Sequence, residues 1–270
     1  MPEEFDQAMR HSTPYFEVFA FTNRIFGGNP AGVCLLDEWL PNELMQTVAA
    51  QNDLPETAFV VRQNDFFDLR WMTPKVEVEL CGHATLAAAH VLFRHRNQPG
   101  DQVRFHSQAG DLIVAREGNR LVLDFPSRPA SKVEACQELA DSLGAMPDEI
   151  LKDRDYFAVF GSQREVAAIK PDLEALSRLD VQGVVVTAPG DDCDFVSRYF
   201  APAAGIPEDP VTGSTHCTLI PYWSQRLGKR DLFARQISAR GGELFCEERG
   251  DRVGIGGEAL TYVEGQLHLA

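Results

Sequence analysis

What the chain lacks sets its first bounds. Its six cysteines (Cys34, Cys81, Cys136, Cys193, Cys217, Cys246) form no C-x-x-C pair and no zinc-ligand spacing. Scattered in this way through a chain of this length, they are expected as reduced thiols, with neither a disulfide framework nor a metal site. Basic residues are scarce: 25 Lys and Arg stand against 40 Asp and Glu, a net charge of -15. That balance argues against nucleic acid and anionic membrane surfaces as partners, because both are polyanions. A small anionic substrate stays compatible, since distant charge is screened over about 8 to 10 Å while local dipoles act inside that range. No stretch reaches the roughly 18 to 20 apolar residues of a membrane span. The N-terminus shows no basic-then-apolar signal pattern, and no low-complexity tract occurs. A cytoplasmic protein is the expectation.

What is present is a repeat. Tyr15-Phe16-Glu17-Val18-Phe19 is echoed by Tyr156-Phe157-Ala158-Val159-Phe160, and Ala58-Phe59-Val60-Val61 by Gly183-Val184-Val185-Val186. Arg70-Trp71-Met72-Thr73-Pro74 returns as Arg198-Tyr199-Phe200-Ala201-Pro202, and Gly82-His83-Ala84-Thr85 as Gly213-Ser214-Thr215-His216. Four echoes in one order, roughly 130 residues apart, point to two copies of one α+β unit. With 270 residues and 44% hydrophobic content the chain can core both copies. Two such lobes facing one another would place a small-molecule site in the cleft between them.

Within the first copy, strands are predicted at Tyr15–Ala20 and Gly32–Leu36, and a helix from Pro41 to about Gln51. Thr57–Arg62 and Phe66–Met72 read as a hairpin pair, and Ala84–Phe93 as a helix apolar nearly all round, hence enclosed by sheet. Three short strands follow, at Val103–His106, Leu112–Arg116 and Leu121–Phe125. Pro126-Ser127-Arg128-Pro129 is the expected linker, with a helix from Glu134 to Leu143 after it. The second copy repeats the order, with a helix at Pro171–Leu179. Its central helix should kink or break at Pro221, which cannot donate to the carbonyl of Cys217. The boundaries read as a loosely held tail at 1–13, an N-terminal lobe at 14–127 and a C-terminal lobe at 128–257. The strands of 258–270 are expected to return to the first lobe.

The two helix starts carry the candidate chemistry. A helix N-terminus leaves about four amides unpaired and acts as roughly half a positive charge. Gly82 and Gly213 let a ligand oxygen approach those amides closely, although glycine and threonine also simply start helices well. His83, at such a start, suits a neutral hydrogen-bonding role, because the dipole disfavours its charged form. It could equally be a satisfied structural histidine, Asp209 a turn carboxylate, and Glu56 an exposed loop charge.

Four ordered motifs resolve these alternatives by resemblance. Phe26-Gly27-Gly28-Asn29-Pro30-Ala31-Gly32-Val33, Leu54-Pro55-Glu56-Thr57-Ala58-Phe59, Leu80-Cys81-Gly82-His83-Ala84-Thr85 and Gly205-Ile206-Pro207-Glu208-Asp209-Pro210-Val211-Thr212-Gly213-Ser214 resemble the phenazine-biosynthesis isomerase (PhzF-like) family. Arg240-Gly241-Gly242 after Gln236-Ile237-Ser238 fits the same pattern. The resemblance implies the diaminopimelate-epimerase-like α+β fold: two pseudo-equivalent lobes, each a curved, barrel-like mixed sheet around a central helix, with the active site between them. It implies Glu56 as general acid/base and His83 and Asp209 as groups that bind and polarise the substrate. Gly82, Gly213 and Ser214 would line the pocket. No cofactor and no metal are implied, and a homodimer is. A same-fold epimerase with one thiol per helix start is the rival. Cys81 would suit it, but the second copy offers Glu208-Asp209-Pro210, and Cys217 is expected about a turn too far along. A non-catalytic ligand-binding protein is the other alternative.

Overall fold

The computed structural model describes residues 11–134 and 136–269. Residues 1–10 of the expected tail lie outside the described residues, whereas 11–13 already belong to a strand. The chain opens with β1 (His11–Ala20), β2 (Asn29–Leu36), α1 (Asn42–Asn52), β3 (Glu56–Arg62), β4 (Phe67–Met72) and β5 (Glu77–Val78). α2 (Gly82–His95), β6 (Gln102–Ser107), β7 (Gly110–Glu117), β8 (Arg120–Pro126), β9 (Ser131–Lys132) and α3 (Gln137–Leu143) follow. Next come β10 (Glu149–Lys152), β11 (Tyr156–Val159), α4 (Gln163–Ala168), α5 (Leu173–Leu176), β12 (Val184–Pro189) and β13 (Phe195–Ala201). β14 (Ile206–Asp209), α6 (His216–Leu227), β15 (Asp231–Gln236), β16 (Gly242–Glu248), β17 (Arg252–Gly257) and β18 (Ala259–Leu269) complete it. The fold is a sheet-dominated α+β arrangement. Among the described residues no helix is long and apolar enough to cross a membrane.

Two compact units result, each built on a mixed sheet. In the first, strands run β18-β1-β2-β3-β4-β6-β7, with β2 and β3 parallel, β3 and β4 antiparallel, and β4 and β6 parallel. β3 is buried on both faces, and its period of two divides the labour. Phe59 and Val61 join Met45, Val48 and Ala49 of α1 in one cluster. Alternation therefore puts Glu56, Ala58 and Val60 on the opposite face, the side on which α2 packs. α2 is buried from Gly82 to Ala89 and again from Val91 to Phe93. Its all-round apolar sequence matches that enclosure.

The second unit runs β9-β10-β11-β12-β13-β15-β16-β17-β8. Its pairings repeat those of the first: β11/β12 parallel, β12/β13 antiparallel, β13/β14 antiparallel, β13/β15 parallel and β15/β16 antiparallel. A charged clamp repeats too. Arg70 grips Glu77 through two bonds of 2.7 Å, tying β4 to β5, and Arg198 grips Glu208 at 2.8 and 3.0 Å, tying β13 to β14. Such bidentate forks are directional as well as attractive.

The sequence expectations need three corrections here. The strand equivalent to β11 is β2, because both run parallel to the next strand; the Tyr15 echo therefore pointed one strand too early. The second unit begins at Val122, ahead of the prolines, since β8 pairs with β17. Residues 21–29 also belong to it, held by Thr22 N–H to Glu258 O, Gly28 N–H to Gly241 O and Glu243 N–H to Phe21 O.

Pro221 sits inside α6, and the helix continues through it. The carbonyl of Cys217, deprived of its helical donor, accepts the amide of Arg128 at 2.8 Å, and Thr218 Oγ1 donates back to Arg128 O at 2.8 Å. The proline is tolerated because the linker segment supplies the missing bond.

Candidate functional site

In the first unit, the start of β3 and the start of α2 bring three groups together. Glu56 is the first residue of β3 and turns to the α2 side. Cys81, in extended conformation, is the N-cap of α2, and its carbonyl takes both the amide and the hydroxyl of Thr85. His83 then lies one residue into the helix, with Nε2 3.1 Å from Glu56 Oε2 and Nδ1 3.4 Å from Cys81 Sγ. His83 and Cys81 are buried, and the Glu56 side chain is 13% exposed. Burial pulls the His83 pKa down, but Cys81 and Glu56 outweigh it and hold it well above the ordinary imidazole range. The Glu56 carboxylate in contact works against the neutral ring expected from the helix dipole, because it acts more strongly than a half-charge spread over a helix end. Nε2 faces Glu56 and Nδ1 faces the sulfur. Burial, reinforced by Glu56, pushes the Cys81 thiol up to about 11, so it stays protonated near neutrality.

Ligand atoms of Glu56, Cys81 and His83 lie within 4.8 Å of one another, a set a metal ion accepts by type. Cys81 and Glu56 face opposite nitrogens of the His83 ring, yet the three groups form a compact triangle and not an extended line.

In the second unit the centre is Asp209, the last residue of β14. Asn29 Nδ2 donates to its Oδ1 at 2.8 Å and to Val211 O at 2.9 Å, while Thr212 Oγ1 donates to its Oδ2. Buried Gln236 closes the ring: Nε2 donates to Asp209 O at 2.9 Å, and Oε1 accepts the Thr212 amide at 2.8 Å. The Asn29 loop is itself fastened by Arg240, which donates to Gly28 O and Gly27 O at 2.8 and 3.2 Å. Gly242 has to be glycine, because a Cβ there would stand 2.3 Å from Val211 Cγ2. Two of the sequence motifs thus converge on one carboxylate within one unit.

α6 begins at His216, three residues later than expected from Gly213. Gly213 and Ser214 form a turn whose carbonyls accept the amides of His216 and Cys217, an i to i+3 start tighter than an α-turn. Gly213 is buried and Ser214 exposed. His216 Nδ1 lies 2.9 Å from Thr212 O, and burial lowers its pKa to about 4, so it is neutral with the proton on Nδ1. Cys217 therefore stands in the first turn, not a turn beyond it. It is nonetheless buried, its thiol raised to about 11, first by burial.

The structure gathers Glu56, His83 and Gly82 at one helix start, and Asp209, Gly213 and Ser214 at the approach to the other. Asn29, Thr212, Gln236 and Arg240, which hold Asp209, were missed as site residues. Asn29, Thr212 and Arg240 lay inside quoted motifs. Gln236 opens the Gln236-Ile237-Ser238 stretch that precedes Arg240 in the same pattern.

These features define a class before they define a family. A hydroxyproline epimerase from Agrobacterium vitis aligns over 97% of this chain and 94% of its own at 11% identity with a TM-score of 0.63, placing the fold among epimerase-like proteins. The crystal structure of a phenazine biosynthesis protein of the PhzF family from Enterococcus faecalis is far nearer, with a TM-score of 0.94 and 45% identity over 96% of this chain and all of that one. An uncharacterized isomerase of Pseudomonas aeruginosa is 53% identical over 257 residues, 95% of this chain and 98% of that protein. The model of phenazine biosynthesis-like proteins matches residues 18–265. The chain belongs to the phenazine biosynthesis-like (PhzF) family.

Proposed function

We propose that this protein is a cofactor-independent isomerase that moves a proton on a small, carboxylate-bearing substrate, with Glu56 as the general acid/base. The observation that carries the reading is the Glu56–His83 contact of 3.1 Å at a largely buried helix start. His83 holds Oε2, which leaves Oε1 to take a proton from carbon while the C–H electrons pass into the adjoining unsaturated system. The same carboxyl then returns the proton at another carbon, so no redox partner is needed. Abstraction of this kind requires fixed donors for the developing anion. In the first unit those donors are the amides led by Gly82, while both ring nitrogens of His83 are already turned to Glu56 and Cys81 and position the base. Asp209, held at both oxygens, the amides led by Gly213 and the hydroxyl of Ser214 are the polar groups the second unit offers for substrate binding. In this reading α2 and α6 are the central helices of two pseudo-equivalent lobes, each wrapped by its curved sheet.

Names of relatives as isomerases support the reaction class. The two-thiol alternative is disfavoured, because both Cys81 and Cys217 are buried thiols raised to about 11. The decisive experiment is Glu56→Gln, assayed for turnover and for deuterium wash-in from D₂O on a verified substrate. Fold and ligand binding should persist while turnover falls by roughly 10² to 10⁴. Near wild-type turnover in Glu56→Gln, with Asp209→Asn inactive, refutes the assignment of the base.

A further inference from the structure

A cavity lies wholly inside the second unit, and neither the residues that hold Asp209 nor the Gly213–Ser214 turn line it. Its volume is about 340 Å³, at the small end of ligand sites. It exists because of Pro221. By leaving Cys217 O open to Arg128, the proline docks the 127–130 strap against α6, and the strap, helix and β10–β12 leave a space between them. Its walls are apolar: Pro129, Leu151, Phe157, Val159, Leu219 and Pro221. The polar groups deeper in the lining are already engaged. Thr187 Oγ1 donates to Val196 O and accepts Trp223 Nε1–H, and Thr218 Oγ1 donates to Arg128 O.

Polarity is concentrated at Glu149, Lys132 and Tyr222. Tyr222 O–H donates to Glu149 Oε2 at 3.0 Å, Lys132 Nζ lies 3.3 Å from Oε1, and Arg226 lies 3.5 Å from Oε2. One carboxylate thus faces two cations, leaving a positive surplus. Lys132, 71% exposed, is able to turn to a second anion. An occupant needs an apolar body and an anionic head. At roughly 30 Å³ per water-sized group, the space holds about eleven non-hydrogen atoms.

We propose that this cavity is a second binding site, for a small amphipathic carboxylate such as an aryl-alkanoic acid, with the ring against Leu219 and Pro221 and the head on Lys132. The proposal is independent of the reaction assigned to Glu56. Its probe is 3-phenylpropanoate, titrated calorimetrically into the intact chain, with 3-phenylpropanamide as the uncharged control. Saturable binding at one site per chain is expected, weakened tenfold or more (about 1.4 kcal/mol) by Lys132→Glu and by the amide. Lys132 is a surface residue, so the variant should fold. Ser214→Trp, which crowds the α6 start with an exposed side chain, should leave the affinity unchanged. The proposal fails if no saturation is seen by about 10 mM, if Lys132→Glu and the amide bind as well as the parent pair, or if Ser214→Trp abolishes binding and so locates the probe elsewhere.

Discussion

Replacing Asn29 tests the proposition that the glycine-asparagine loop exists to hold Asp209. Its amide is fully buried and donates to Asp209 Oδ1 at 2.8 Å and to Val211 O at 2.9 Å. Asn29→Ala removes both bonds. A bond to a charged acceptor contributes about 1.5 to 3 kcal/mol and one to a carbonyl about 1, so a loss of roughly 3 kcal/mol is expected. Over a unit of this size that corresponds to a fall in Tm of about 6 to 12 °C. Urea unfolding followed by circular dichroism, with equal m values required, gives the measurement. Asn29→Asp sharpens it. The side chain keeps its shape but opposes one carboxylate to another, so the variant should lose further stability as pH rises from 5 to 8. A loss below about 0.5 kcal/mol in Asn29→Ala, or Asn29→Asp exceeding Asn29→Ala in stability at pH 8, refutes the clamp.

Cys81→Ser should retain activity within about tenfold, and native Cys81 should alkylate slowly at neutral pH, as a buried thiol raised to about 11 must; rapid alkylation with loss of activity revives a thiol mechanism. Burial raises the Asp155 carboxyl from 3.8 to about 6, with the Tyr199 hydroxyl opposing. The folded state then binds more protons than the unfolded between about pH 4 and 6, so this group's contribution is fully present below 4 and lost as pH rises through 6. Asp155→Asn should gain on the wild type over that window, by up to about 3 kcal/mol, in urea midpoints measured against pH. His216 has the opposite sign. Depressed to about 4 from 6.5, first by burial, it contributes stability above pH 6.5 that disappears as pH falls through 4. Ring nitrogen shifts should show it neutral and Nδ1-protonated at pH 5, and an imidazolium there contradicts the assignment.

Elements whose burial follows local pattern were legible in the sequence. α2 reads as a fully enclosed helix because its apolar residues leave no polar face, and β3 and β12 read as buried strands because their apolar runs are continuous. What escaped was set by distant partners. Nothing near Pro221 discloses that Arg128 satisfies the carbonyl it frees. The helix expected at Pro171–Leu179 shrinks to Leu173–Leu176, with Asp172 capping one end and Ser177 at the other bonding back to Glu174 O. α4 was not foreseen at all, although Ser162 caps it through the amide of Glu165. Among the candidate site residues, Glu56, His83 and Asp209 were recognisable because they stand in motifs. The pull of Glu56 on His83 was not legible, since it depends on how β3 lies beside α2.

The strand pairing that closes the first unit also sets a timetable. β1 and β18 meet along ten positions, from His11 opposite Leu269 to Ala20 opposite Ala259, roughly 240 residues apart at their nearest. At about 5 to 20 residues per second, β1 is synthesised roughly 10 to 50 seconds before its partner. Until then its edge lies open while the whole second unit is made and free to fold. The unit whose sequence comes first is therefore the one finished last, and during that interval the nascent chain carries the kind of unpaired edge on which aggregation begins.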